Sequence, residues 1–334
     1  MELRRDYILD RWVILSDIRG QRPNEFNQDH QAKLSKSSGE KNQQAEQPGK
    51  SSTCFFCAGN EHLTPPEIAR QEKNGKWNIR IFPNKFPAVK MEGTSEIRTD
   101  NDFFTFSNPY GRHEVIVETP DHGKQLHDLS EEEIFDVLNM YSQRSKELSL
   151  LPGSKYVVLF KNFGKEGGTS LVHSHTQMLS LNKVPVPIEQ EVIAIRQWRQ
   201  ERHECPYCRI ISIEKGSFRR CFESKYFVAF TPYASRYQYE IWLFPKDHRK
   251  SIAELNFVEM RDFAEIFHKV LVKLKELGTS YNFFMHQAPS NEDSHFHFEF
   301  VPRMATFAGF EISTDAIINS VYPEDAAKFY RGEK

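Results

Sequence analysis

Cysteine is scarce in this chain. There are five in 334 residues, and four of them form two Cys-x-x-Cys pairs, Cys54/Cys57 and Cys205/Cys208, with Cys221 standing apart. Five clustered thiols cannot make a disulfide framework, and they fit a reducing cytoplasm with metal-bound thiolates better than secretion. No run of about 18 apolar residues exists, so no membrane-spanning helix is expected. The N-terminus, Met-Glu-Leu-Arg-Arg-Asp-Tyr, lacks the apolar stretch of a signal peptide. Excess charge is missing too: 44 basic and 46 acidic residues leave a net charge of −2. Such a balance gives no general attraction for DNA or RNA, although a small phosphorylated ligand needs only a local cluster of donors. Arg202, Arg209, Arg219 and Arg220 near the second cysteine pair read as a solvated basic turn. Large apolar side chains are almost absent from residues 27–53. That stretch cannot offset its ordering entropy and is expected to be a mobile loop.

What remains is organised as two passes over one plan. The first holds Cys54-Phe-Phe-Cys57, an apolar strand at 114–118 and Pro120-Asp121-His122. A helix follows, opened by a capping box at Ser130 and Glu133, with Ile134, Val137, Leu138 and Tyr141 facing inward. A strand at 156–160 and a Gly-rich turn then lead to His173-Ser-His175-Thr-Gln177. The second pass repeats the order: Cys205-Pro-Tyr-Cys208, a strand at 239–244 and Asp247-His248. Next come a helix opened by Asn256 and Glu259, a strand at 281–285, and His295-Phe-His297-Phe-Glu299. The predicted fold class is α+β, a duplicated antiparallel sheet with helices. Two tandem domains are expected, at 1–185 and 186–334.

A Cys-x-x-Cys turn offers two thiolates to one tetrahedral metal and needs two further ligands. The repeat nominates His122 and His173 to complete the first shell, and His248 and His295 to complete the second. One zinc shared by both cysteine pairs is the rival arrangement, and unligated cysteines are the plainer one. A shell of four protein ligands leaves no open position for activating water, so two Zn2+ ions per chain are assigned a structural role. Chemistry then falls to His175. On a strand, residues 173 and 175 share a face about 7 Å apart, so one can ligate metal while the other reaches a substrate. A neutral imidazole can attack an α-phosphate and form a phosphoramidate. The segment from Lys161 to Ser170 supplies amides, a hydroxyl and close backbone approach for phosphoryl oxygens, and Gln177 lies on the same face as His175.

Together these motifs resemble the galactose-1-phosphate uridylyltransferase family of the histidine-triad superfamily, over nearly the whole chain outside 27–53. Trp12 with Arg19-Gly-Gln-Arg22-Pro, Cys54-Phe-Phe-Cys57 with Gly59-Asn60, Phe82-Pro-Asn84-Lys-Phe-Pro87, Pro120-Asp-His122 and His173-x-His175-x-Gln177 carry the resemblance. It implies two histidine-triad-like domains and ping-pong transfer of a nucleoside monophosphate, uridylate by default, through His175. The donor would be a nucleotide-sugar and the acceptor a hexose 1-phosphate. It also implies nucleotide or phosphate contacts from Arg19, Arg22, Phe55, Asn84, Asn162, Gly168, Ser170 and Gln177. A homodimer is implied as well, with sugar contacts from Phe307 and Glu311 reaching across from the partner subunit. Ser174 and Thr176 replace the family's usual proline and glycine, and Lys85 replaces an aspartate. Ser174 and the run from Gly309 to Thr314 look more like the branch containing plant ADP-glucose phosphorylase, where adenylate is transferred and inorganic phosphate accepts it. Some relatives bind iron at the second site, and Glu191, His286, His295 and His297 match those positions; Cys205 and Cys208 favour zinc. A zinc scaffold or nucleotide sensor without catalysis is the reading from a different class.

Overall fold

A computed structural model describes residues 1–5, 12–15, 23 and 54–333. The segment 27–53, together with Arg19 and Arg22, lies outside the described residues. The fold is mixed α and β with antiparallel sheets. Two compact units are present: Met1–Asp128 with Asn162–Leu179, and Leu129–Lys161 with Ser180–Lys334.

In the first unit β1 (Glu2–Arg5) and β2 (Trp12–Leu15) are followed by β3 (Ala69–Lys73), β4 (Lys76–Pro83), β5 (Arg98–Asp100), β6 (Phe104–Ser107) and β7 (Gly111–Val117). The order β2-β1-β6-β5 forms a small sheet. Strands β3 and β4 make a hairpin whose two-residue loop, Asn74-Gly75, has positive φ at both positions (55° and 72°). That is the turn geometry that matches the strands' own twist, and Asn-Gly is the pair that tolerates it best. Ile81 pairs with Ile116 and Phe82 with Val115 across β4 and β7. Phe56, Trp77, Phe82, Val115 and Val117 bury themselves around Cys54 and Cys57. The thiols therefore sit inside an apolar core.

Strands β8 (Tyr156–Phe163) and β9 (His175–Leu181) each cross from one unit to the other along the chain. The second unit adds α1 (Glu131–Ser149), α2 (Val186–Arg202), α3 (Pro206–Glu214), β10 (Arg220–Glu223), β11 (Phe227–Phe230) and β12 (Ile241–Pro245). It continues with α4 (Phe257–Leu277), β13 (Tyr281–His286), β14 (His297–Pro302), α5 (Gly309–Thr314) and α6 (Pro323–Arg331). Both expected capping boxes are present, at Ser130/Glu133 before α1 and Asn256/Glu259 before α4. The inward positions of both helices are buried as their periodicity requires. Phe263 of α4 stacks on Phe227 at 4.8 Å, and Phe267 meets Phe283, Phe298 and Phe300 edge-on at 5.1–5.6 Å. Rings in these geometries add about 0.5–1.5 kcal/mol per pair beyond area burial.

Three strands begin later than expected. Tyr239 has φ of 58°, which a strand cannot hold, so β12 begins at Ile241. Likewise β9 begins at His175 and β14 at His297, so the first histidine of each pair precedes its strand. The alternation of sides holds across that boundary. Ser174 and Thr176 both reach Glu118, while the rings of His173 and His175 both meet Phe56.

Candidate active site and metal centres

The first unit brings Cys54, Cys57, His122 and His173 together, and the second brings Cys205, Cys208, His248 and His295 together. In each group every donor atom lies within 4.8 Å of the others. His173 Nδ1 is 3.6 Å from both sulfurs of its group, and His122 Nδ1 is 3.5 Å from Cys57 Sγ. In the other group His248 Nδ1 and His295 Nδ1 each lie 3.5 Å from Cys208 Sγ. Zinc bonds of about 2.3 Å to sulfur and about 2.0–2.1 Å to nitrogen, at tetrahedral angles, place sulfur and nitrogen about 3.6 Å apart. The donor sets fit that ion.

The outer nitrogens support the same conclusion. His173 Nε2 donates to the Thr119 carbonyl at 2.7 Å, His295 Nε2 to the Pro245 carbonyl at 3.0 Å, and His248 Nε2 to Asp293 at 2.8 Å. A carbonyl can only accept, so the proton is on Nε2 of His173 and His295 and the lone pair is on Nδ1, facing the thiols. Burial holds the His173 imidazole down at about 4, which keeps it neutral, and pushes the Cys54 thiol up to about 12. A thiol so buried ionises when a cation stands beside it.

His175 has a different environment. Its Nδ1 donates to the His173 carbonyl at 2.9 Å. In the neutral ring that bond fixes the proton on Nδ1 and leaves the lone pair on Nε2. Phe56 packs edge-on against the ring at 5.3 Å. His175 keeps 8% of its surface exposed and lines a pocket with Phe55, Asn84, Lys85, Ser170 and Gln177. Of the nucleotide contacts expected from sequence, Phe55, Asn84, Ser170 and Gln177 thus share the pocket of His175. Asn162 is the next-to-last residue of β8 and Gly168 turns the following loop at φ of 79°, and neither lines the pocket. Phe307 and Glu311 belong to the second unit, where Phe307 stacks on Tyr237 at 5.4 Å and Glu311 accepts from the Ala308 amide at 3.0 Å.

The matching histidine of the second unit is His297. Its Nδ1 also donates back to its pair, the His295 carbonyl, at 3.0 Å. Its ring is fully buried, stacked on Phe244 at 4.4 Å, with Nε2 3.3 Å from the Glu299 carboxylate. Glu191, His286 and His297 form a further group, separate from His295, which sits with the cysteines.

Residues 2–185 match the family model described as galactose-1-phosphate uridyl transferase, N-terminal domain, and residues 127–329 match a domain of unknown function. The chain belongs to the galactose-1-phosphate uridylyltransferase family. It is 32% identical to the ADP-glucose phosphorylase of Arabidopsis thaliana, over 99% of this chain and 92% of that protein. It is 30% identical to the galactose-1-phosphate uridylyltransferase of Thermotoga maritima, over 99% of this chain and 98% of the other. The crystal structure of the Arabidopsis thaliana ADP-glucose phosphorylase with bound ADP-glucose has a TM-score of 0.76 to this chain at 30% identity, covering 100% of both. A uridylyltransferase structure has a TM-score of 0.78 at 26% identity, covering 99% of this chain and 98% of that one.

Around the candidate site, two residues were not expected from the sequence. Glu118, 3% exposed, accepts hydrogen bonds from Ser174 Oγ at 2.5 Å and from Thr176 Oγ1. His113 of β7 lies 3.0 Å from Gln177 Oε1 and 3.0 Å from the Ala88 amide. Two hydroxyls on alternate positions called for a common acceptor, which is a usable signal for Glu118. His113 had none beyond sharing a strand side with Val115 and Val117.

Proposed function

We propose that the chain transfers a nucleoside monophosphate, uridylate by default, from a nucleotide-sugar to a hexose 1-phosphate through His175. The lone pair of His175 Nε2 attacks the α-phosphorus, a P–N bond forms, and the P–O bond to the departing sugar 1-phosphate breaks. In the second half a phosphate oxygen of the acceptor attacks the same phosphorus and the P–N bond breaks. Asn84, Ser170 and Gln177 supply donors where the phosphoryl charge develops. The observation that carries this reading is that His175, whose Nδ1 is engaged by the His173 carbonyl so that its lone pair is on Nε2, lines the pocket shared by those donors.

The two cysteine–histidine sets would each hold a structural Zn2+, tying the loop before the active strand to the Cys-x-x-Cys turn. We read residues 1–185 and 186–334 as two copies of one histidine-triad plan, a division by sequence repeat that differs from the two compact units. We also read the protein as a cytoplasmic homodimer, with Phe307 and Glu311 touching the sugar in the partner's site. The second reading, adenylyl transfer from ADP-glucose to inorganic phosphate, is favoured by the identity to the Arabidopsis phosphorylase and by Ser174.

Incubation with UDP-glucose or ADP-glucose radiolabelled at the α-phosphate tests both. Wild type should take covalent label on His175 and His175→Ala should take none; label surviving that substitution sinks the assignment. Discharge by galactose 1-phosphate or by phosphate then separates the two readings.

A further inference from the structure

We infer that His113 is a positioning residue that fixes which end of the Gln177 amide faces the phosphoryl group. The inference rests on His175 being the nucleophile and goes beyond it.

The argument is one of donors and acceptors. The backbone N–H of Ala88 points at His113 Nδ1, 3.0 Å away. A backbone N–H can only donate, so Nδ1 carries the lone pair and the proton of the neutral ring is on Nε2. That Nε2–H lies 3.0 Å from the Gln177 side chain, which must therefore turn its carbonyl oxygen, Oε1, toward the histidine. Asn84 makes the same demand. Its Oδ1 is engaged by the Phe86 amide at 2.8 Å, so its Nδ2 is the end that points at Gln177 Oε1, 3.3 Å away. Asn84 Nδ2 and His113 Nε2 lie 3.2 Å apart because both aim at that one oxygen. With Oε1 held by two donors, the end left to the pocket is the NH2 group, the end that stabilises a phosphoryl oxygen. A flipped amide would present a carbonyl oxygen to the same anion and repel it. His113 is 4% exposed on β7, flanked along the chain by ordered strand, so the relay is rigid before substrate arrives.

Asparagine and glutamine separate the two nitrogens of the ring. His113→Asn keeps an acceptor near the Nδ1 position and removes the Nε2 donor; His113→Gln keeps a donor near the Nε2 position. The readout is the single-turnover rate of label transfer to His175 from whichever of UDP-glucose or ADP-glucose labels wild type. Melting temperature and zinc content are followed in parallel. His113→Asn should slow transfer on the order of 10²-fold, the size of losing one oxyanion donor. His113→Gln should stay within about tenfold of wild type. In a Gln177→Ala background His113→Asn should cost less than about threefold further, because its effect acts through that amide. Wild-type speed in His113→Asn overturns the inference. So does an undiminished loss in the Gln177→Ala background, or a loss that follows melting temperature and is not rescued by His113→Gln. A wild type that takes no label overturns the His175 reading, and this inference with it.

Discussion

Glu118 shows how much a single buried carboxylate organises here. At 3% exposure it takes hydrogen bonds from Ser174 and Thr176, the residues between and just beyond His173 and His175. Glu118→Gln keeps the size but sets an NH2 against one hydroxyl. It should cost about 1–3 kcal/mol in urea unfolding, the usual price of a buried mismatch at a charged acceptor, and slow His175 labelling. An unchanged midpoint and rate would remove Glu118 from the site. Glu240 makes a pH prediction. Burial, and then the charge of Glu299, push its carboxyl up to about 7. The ordinary value is 4.5. Below about pH 4.5 both folded and unfolded chains hold the proton and nothing is contributed. Between about 4.5 and 7 only the unfolded chain ionises freely, so stability falls as pH rises, by about 3 kcal/mol in all. Glu240→Gln should flatten that part of the curve. The stability of wild type minus that of the variant should fall between about pH 5 and about pH 7.5 in denaturant titrations.

At the scale of elements, α2, α3, α5 and α6 were not expected, and the two capped helices α1 and α4 were the most legible parts. Their capping boxes and apolar spacing are local, and nothing distant overrides them. Ser130→Ala and Asn256→Ala should each cost about 1 kcal/mol, because each removes an acceptor from orphan amides at a helix start. Chemical unfolding of each variant checks this, and a loss under about 0.3 kcal/mol would show that water replaces the cap. The strands of the repeated plan were legible in position but not at their ends, and β1 to β6, β10 and β11 were not expected. The start of β12 depends on a left-handed Tyr239 that no pattern announces. The ladder of β9 begins at His175, two residues after the motif's first histidine, yet the alternation of sides that the motif needs is kept.

For the whole molecule, the two cysteine–histidine sets belong to different units, and that separates their expected consequences. Elemental analysis should find about two zinc ions per wild-type chain and about one in Cys54→Ala or Cys205→Ala, each variant losing its own site. Cys54→Ala should also lose His175 labelling, since His173 ties that site to the active strand. Cys205→Ala should keep most of it; equal loss in both would show that the second set supports catalysis too. The sequence by itself nominated the two cysteine–histidine sets and the proposed nucleophile, and placed the elements of the repeated plan in order. Those are carried by residue type, short spacing and a plan stated twice, none of which needs the chain to be folded to be read. The tertiary structure decided which nitrogen carries each proton, which end of Gln177 faces the pocket, and that His175 lines a pocket while His297 is sealed behind Phe244. These depend on partners that lie 64 residues away for Gln177 and 53 for His297. Hydrogen-bond direction and burial are properties of neighbours in space, and the chain has those neighbours only once it has folded.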